Sequence, residues 1–248
     1  WVDVDGDGWI DLFVCNYVRW SPETDLFMTV DGVNKSYATP QPYMGSTCRL
    51  YRNRGDGTFE EVTEQAGVYN PQGKSLAVAV ADFNGDGHPD LVVTNDTQPN
   101  FLYRNRGDGS FEEVGLASGI AYDEAGRARA GMGVDVASLD NDGKLAIAIG
   151  NFSREPVSFY RQSWEDFFID EAGRRQIARS TLLPLTFGVL FFDYNLDGYL
   201  DLVLSNGHLE PEINRVQKEI TYAQQAQLFW NDGEGRFRAI PKLAIRNT

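Results

Sequence analysis

Asp82-Phe83-Asn84-Gly85-Asp86-Gly87-His88-Pro89-Asp90, running into Leu91-Val92-Val93, is one half of a pattern that decides the fold. The other half is Leu102-Tyr103-Arg104-Asn105-Arg106-Gly107-Asp108-Gly109-Ser110-Phe111-Glu112-Glu113-Val114, a near copy of Leu50 to Val62. A degraded copy, LFWNDGEGRF, spans Leu228 to Phe237. The first half recurs as DVDGDGWID from Asp3, as DYNLDGYLD from Asp193 and, worn, as SLDNDGKLA from Ser138. Motif, order and spacing repeat together, so the chain is a repeat array with a unit of about 55 residues. The first copy carries an insertion of about 23 residues.

Each unit reads as four short strands. Leu76 to Ala81 and Leu91 to Val93 are apolar on both faces, which predicts strands buried on both sides. A strand over 100–105, a polar Gly turn and a strand over 111–114 complete the unit. Repeated four-stranded sheets with buried inner strands predict an all-β fold, a β-propeller of four blades at about 1–73, 74–130, 131–185 and 186–248. A parallel β-helix is the competing architecture, but its repeats are much shorter. Only Trp1-Val2 precede the first loop, so the first blade lacks most of its opening strand. A bare sheet edge is a liability. The expectation is one propeller over 1–248, as part of a larger ring or completed by another segment, with a closed four-bladed ring as the alternative.

Composition narrows the function. Apolar residues make up 42% of the 248, enough for a packed core, and the 25 glycines suit many tight turns. Acidic residues outnumber basic ones by 36 to 22, a net charge of −14 that argues against nucleic acid as a partner. No apolar run reaches the ~18 residues of a membrane span.

The acidic excess is concentrated in the loops. Calcium takes six to eight oxygens from carboxylates, amides, carbonyls and water. The pattern D-x-[DN]-x-D-G-x-x-D offers side-chain oxygens at positions 1, 3, 5 and 9 and a main-chain carbonyl at 7, with Gly at 6 permitting the turn. The expected ligands are Asp3, Asp5, Asp7, Asp11 and the Trp9 carbonyl in the first loop. In the second they are Asp82, Asn84, Asp86, Asp90 and the His88 carbonyl, and in the fourth Asp193, Asn195, Asp197, Asp201 and the Tyr199 carbonyl. The third loop, Ser138 to Ala146, keeps only Asp140 and Asp142, and is expected to hold Ca2+ weakly or not at all. Three bound Ca2+ are therefore expected. An EF-hand would need Glu at position 12, where Val14, Val93 and Leu204 stand. Solvated Asp/Gly turns without metal are the plainer alternative, but unit charges 4 Å apart repel by roughly 4 kcal/mol at an effective dielectric of 20.

These loops and the LYRNRGDGTFEEV segments resemble FG-GAP/VCBS repeats, the units of integrin α-subunit propellers. CNYVRWSPETD (Cys15 to Asp25) and SNGHLEP (Ser205 to Pro211) extend the likeness to the cartilage-acidic-protein-like, ASPIC/UnbV-associated family. The resemblance implies a ring of about seven blades, with Ca2+ in the first, second and fourth loops. No C-terminal ASPIC/UnbV module is evident.

Other features carry milder readings. Arg54-Gly55-Asp56 and Arg106-Gly107-Asp108 spell an integrin-binding tripeptide, but both sit in hairpin turns that call for Gly and Asp. Cys15 and Cys48, the only cysteines, align with the ends of facing strands and would close the neck of the first insertion, as a disulfide if the protein lives outside the cytoplasm; two free thiols are the alternative. His208, near Glu210 and Glu212, is read as structural, with metal binding or proton transfer as the alternative. The insertions 19–47 and 207–225 are where recognition of a protein or glycan is expected.

The expected function is that of an extracytoplasmic interaction module, extracellular, surface-bound or periplasmic, with structural Ca2+ and no catalysis. A lectin using Trp20 or Trp164 is the second reading. A polysaccharide lyase, needing Tyr160, Arg161 or His208 in one cleft, is the third.

Overall fold

The computed structural model describes residues 1–139, 142–165 and 167–241. All of its sheets are antiparallel meanders. The first has three strands, β1 (Leu12–Val14), β4 (Arg49–Asn53) and β5 (Phe59–Glu61), in the order β1-β4-β5. Between β1 and β4 lies a two-residue-stranded hairpin, β2 (Met28–Thr29) and β3 (Lys35–Ser36). The second sheet runs β6 (Ser75–Ala81), β7 (Asp90–Asn95), β8 (Phe101–Asn105), β9 (Phe111–Glu113) in sequence order. The third repeats this with β10 (Gly131–Ser138), β11 (Leu145–Asn151), β12 (Ser158–Trp164) and β13 (Phe167–Asp170). The fourth does so with β14 (Thr186–Phe192), β15 (Asp201–Asn206), β16 (Gln227–Asn231) and β17 (Phe237–Ala239).

Register shows how each meander places its loops. Ala81 faces Asp90, Leu91 faces Tyr103 and Asn105 faces Phe111. In the fourth sheet Phe192 faces Asp201, Leu202 faces Phe229 and Asn231 faces Phe237. The Asp-rich loop and the Gly turn after the third strand therefore share one end of each sheet, and the connection from second to third strand leaves from the other. Both sheets also carry an irregularity at the same place, between Ser75 and Ala77 and between Thr186 and Gly188.

One expectation, the missing opening strand of the first repeat, is met, and another needs correction. The first sheet has three strands, with Val2 joined to Asp11 by an isolated bridge. The opening strands are not buried on both faces: Val80 in β6 and Phe187, Leu190 and Phe192 in β14 are exposed, whereas every residue of β7 is buried. The cause is position. β7 lies between two strands, while β6 and β14 are sheet edges.

Contacts divide the chain into two compact units, one of residues 1–24, 40–131 and 162–169, the other of 25–39, 132–161 and 170–248. The first has a core of Leu50, Val68, Leu91, Val93, Phe101 and Tyr103, with Phe83 packed edge-on to Phe168 at 5.7 Å. In the second, Phe159 meets Phe191 at 6.0 Å and Phe237 at 5.4 Å over Ile177, Leu202 and Phe229. Each such side chain stabilises its unit by about 1.5–3 kcal/mol on burial. No helix among the described residues is long and apolar enough to cross a membrane.

Candidate metal centre

The three full Asp loops are built on one hydrogen-bond frame. The aspartate at position 1 turns inward and collects loop amides. Asp3 accepts from Gly6 and Gly8, both at 2.9 Å. Asp82 accepts from Gly85 (2.7 Å), Asp86 (3.1 Å) and Gly87 (2.8 Å), and Asp193 from Asp197 (3.1 Å) and Gly198 (2.8 Å). The aspartate at position 5 accepts the amide two residues on: Asp7 from Trp9, Asp86 from His88, Asp197 from Tyr199. Positive φ makes this winding possible, 77° at Gly85 and 88° at Gly87.

The ninth residue ties the loop to its sheet. Asp11, Asp90 and Asp201 are almost wholly buried. One oxygen of each accepts the amide of loop position 2 (Val4, Phe83, Tyr194) at 2.9–3.0 Å. The other accepts the amide of the asparagine ending the third strand (Asn53, Asn105, Asn231) at 2.7–2.8 Å. Each carboxylate oxygen has a second lone pair, so these bonds leave capacity for a cation.

Convergence differs among the loops. In the first, carboxylate oxygens of Asp3, Asp5 and Asp11 all lie within 4.8 Å of one another, while Asp7 is outside this group. Burial, followed by the charges of Asp7, Asp11 and Asp3, raises the Asp5 pKa. In the second loop burial raises Asp90 to about 6, against its two amide donors and with help from Asp86 and Asp82. Burial likewise raises Asp201. Asn84 and Asn195 each donate to the carboxylate at position 5, at 2.8 Å, and use their Oδ1 to accept its amide. Such groups carry negative charge in a shared, partly dry space, the condition a divalent cation relieves.

Trp9, His88 and Tyr199, expected only for their carbonyls, have a further role. Their rings cover the Gly turn after the third strand. A Cβ added at Gly55 would lie 2.9 Å from the Trp9 indole, at Gly107 2.5 Å from His88 Nε2 and at Gly233 2.9 Å from the Tyr199 ring. The Arg-Gly-Asp triplets are thus parts of closed turns: Asp56 and Asp108 each accept a main-chain amide and a hydroxyl two residues on, and Arg54 and Arg106 pair with Glu60 and Glu112.

The third loop departs from the frame. Asp140 lies outside the described residues. Asp142 accepts the Lys144 amide at 2.9 Å and meets Arg161 Nη2 at 2.5 Å. Arg161, 6% exposed, also donates to the Leu145 carbonyl at 3.0 Å. Against burial, the Lys144 amide and the guanidinium hold Asp142 below the usual carboxylate range.

Sequence reasoning missed the asparagines. Asn53, Asn105 and Asn231 each donate from Nδ2 to the carbonyl at loop position 8 (Ile10, Pro89, Leu200) at 3.0–3.1 Å and accept the turn glycine's amide. At the opposite end, Asn16, Asn95, Asn151 and Asn206 each donate across the neck of the next connection, to Thr47, Pro99, Pro156 and Gln225. The signal was present: the first set recurs at one place in three repeats, with Gln162 standing there in the third, and the second set recurs at another place in all four.

Short connections and long insertions thus hang from the same clamp. The two insertions meet within the second unit, where the Ser36 hydroxyl bonds the Glu210 carboxylate and Arg215 stands 3.9 Å from Asp31. Phe27, Val33, Tyr37, Val216 and Tyr222 are exposed on them. His208 is buried, accepts the Glu210 amide at Nδ1 and packs edge-on to Phe152 at 5.4 Å. Burial lowers its pKa.

Comparison with known proteins agrees with the repeats. The FG-GAP-like repeat family matches over residues 3–93 and 82–149. Cartilage acidic protein 1 of Homo sapiens is 32% identical over 171 residues, 64% of this chain and 24% of that protein. Its Mus musculus counterpart is 30% identical over 171 residues, and that of Xenopus tropicalis 29% over 172. The chain spans about a quarter of the length of these relatives. With family matches covering more than half of it, and Asp loops and Gly turns recurring in register, the chain belongs to the FG-GAP-like repeat family.

Proposed function

We propose that this chain is a Ca2+-stiffened segment of a β-propeller that acts outside the cytoplasm as an interaction module. The observation that carries the metal assignment is the convergence of Asp3, Asp5 and Asp11 within 4.8 Å. Its hydrogen-bond frame recurs around Asp82–Asp90 and Asp193–Asp201. Three buried or half-buried carboxylates at that spacing repel strongly unless neutralised. The ion would be held by Asp3, Asp5, Asp7 and Asp11 with the Trp9 carbonyl, and by the matching residues of the second and fourth loops. Its role is to fix the turn between first and second strands, not to activate a substrate.

Recognition falls to the other end of the sheets, where insertions 19–47 and 207–225 present exposed aromatic and aliphatic side chains on a clamped base. A protein or glycan is the ligand class, and an extracytoplasmic site follows from the free Ca2+ that ordinary sites of this kind need. Further blades would complete the ring. The test is thermal melting with Ca2+ and with chelator, joined to metal counting. Three ions per chain and a large loss of stability on chelation are expected. An unchanged melt with no bound metal would sink the reading.

A further inference from the structure

The chain's only two cysteines face each other across the neck of the first insertion. β1 and β4 pair with Val14 opposite Arg49, and the same register resumes at Val18 opposite Gly45. Cys15 and Cys48 stand opposite one another within that run. Cys48 is 4% exposed and Cys15 half-buried, and both pack in the apolar core of the first unit. The Cys15 thiol hydrogen-bonds the Cys48 sulfur, which also receives the Ser75 hydroxyl and the Asn16 amide. These donors, Cys15 foremost, hold the Cys48 thiol below its ordinary range against burial. The hydrogen bond to Cys48 and burial push Cys15 up.

We propose that Cys15 and Cys48 form a disulfide that locks the neck of the 19–47 insertion. The oxidant is another disulfide, of the small-molecule or oxidoreductase class. Cys15, the sulfur nearer solvent, attacks it as its proton passes to the departing thiolate, breaking the oxidant's S–S bond, releasing one thiol and forming a mixed disulfide. The Cys48 thiolate then attacks the Cys15 sulfur and displaces the second thiolate. Two protons and two electrons leave the protein, and the oxidant departs as two thiols. The bond would reinforce a neck already closed by Asn16 Nδ2 on the Thr47 carbonyl at 2.9 Å. An extracytoplasmic setting supplies the oxidising conditions. The cross-link does not depend on the calcium reading.

Protein equilibrated in a mixed oxidised and reduced glutathione buffer, then denatured and alkylated, tests this. The expected product is lighter by two hydrogens, takes no alkyl group until reduced, and yields a linked peptide containing Cys15 and Cys48. Two alkylated thiols, or glutathione held on Cys15 alone, would overturn it. Reduction of the wild type should lower its melting temperature by roughly 5–15 °C. Cys15→Ser should melt like the reduced wild type and ignore reductant. If that variant does not fold, the wild-type comparison still decides, because an oxidised protein whose melt reductant leaves unchanged would deny the clamp.

Discussion

The loops at 82–90 and 138–146 both join the first and second strands of a sheet, and their aspartates meet different surroundings. In the second repeat, Asp90 closes the loop and is raised to about 6 by burial beside Asp86 and Asp82. In the third, Ala146 stands at the ninth position, opposite Arg161 in the strand ladder, and Asp142 is held low by that arginine. Both repeats carry a Tyr-Arg pair in the third strand, Tyr103-Arg104 and Tyr160-Arg161. Arg104 reaches outward to Glu112 at 3.0 Å, whereas Arg161 turns in to Asp142. The need for positive charge at the loop is shared. One repeat would meet it with an exchangeable ion, the other with a side chain that cannot leave.

Chelation should separate them most sharply. Each filled site stabilises by about 2.7 kcal/mol when free Ca2+ exceeds its dissociation constant a hundredfold. Removing Ca2+ should therefore shift the melt by well over 10 °C, and hydrogen exchange should rise at the first, second and fourth loops. Amides of 142–146 should keep their protection. Equal loss at all four loops would break the comparison.

Asp86→Ala comes next. With Ca2+ present it should lower stability by as much as ~2.7 kcal/mol, the worth of one occupied site, and bound metal should fall by one ion. In chelator the same substitution should change the melt far less, because the group has no ion to lose.

Asp142→Ala inverts that dependence. It strips a partner from a buried guanidinium, an effect of about 2 kcal/mol once the carboxylate's partial exposure is allowed for. The loss should be the same in Ca2+ and in chelator, and the ion count should not move. From sequence alone the worn loop looks dispensable and Asp86 outranks Asp142. Arg161 removes that simple ranking and makes calcium dependence the discriminating measurement.

Much of this was legible because repeats are self-aligning. The strands following each Asp loop, the turns at Arg54–Thr58 and Arg106–Ser110, and the partial first sheet all follow from matching copies within one chain. Legible ligand chemistry did not extend to packing. That Trp9, His88 and Tyr199 cover the turn glycines depends on which way a ring points, and position 7 varies freely in type. Arg161 was singled out only for a possible cleft, and its pairing with Asp142 escaped notice for the same reason: that neighbour in space is 19 residues away, and Arg104 in the matching position points elsewhere. The contact between the two insertions joins Ser36 to Glu210, a separation that no local pattern reports. The edge strands misled because an apolar run reads the same whether one side of the strand or both are covered.

The smallest effect probes the frame itself. At loop position 4 the first and second repeats have Gly6 and Gly85, at φ of 73° and 77°, while the fourth has Leu196 at 61°. Leu196 is 87% exposed and so gains almost nothing from packing. A side chain in the left-handed region is unfavourable by roughly 1 kcal/mol. Glycine there has no such penalty but has more freedom to lose on folding, which offsets part of the gain. Leu196→Gly should therefore stabilise the fourth loop, by about 0.5–1 kcal/mol, with a slightly tighter metal affinity measured by titration. The gain should persist in chelator, because the strain belongs to the backbone and not to the ion. A loss of stability would mean that the fourth loop owes its shape to the leucine, and that the three intact loops do not share one frame.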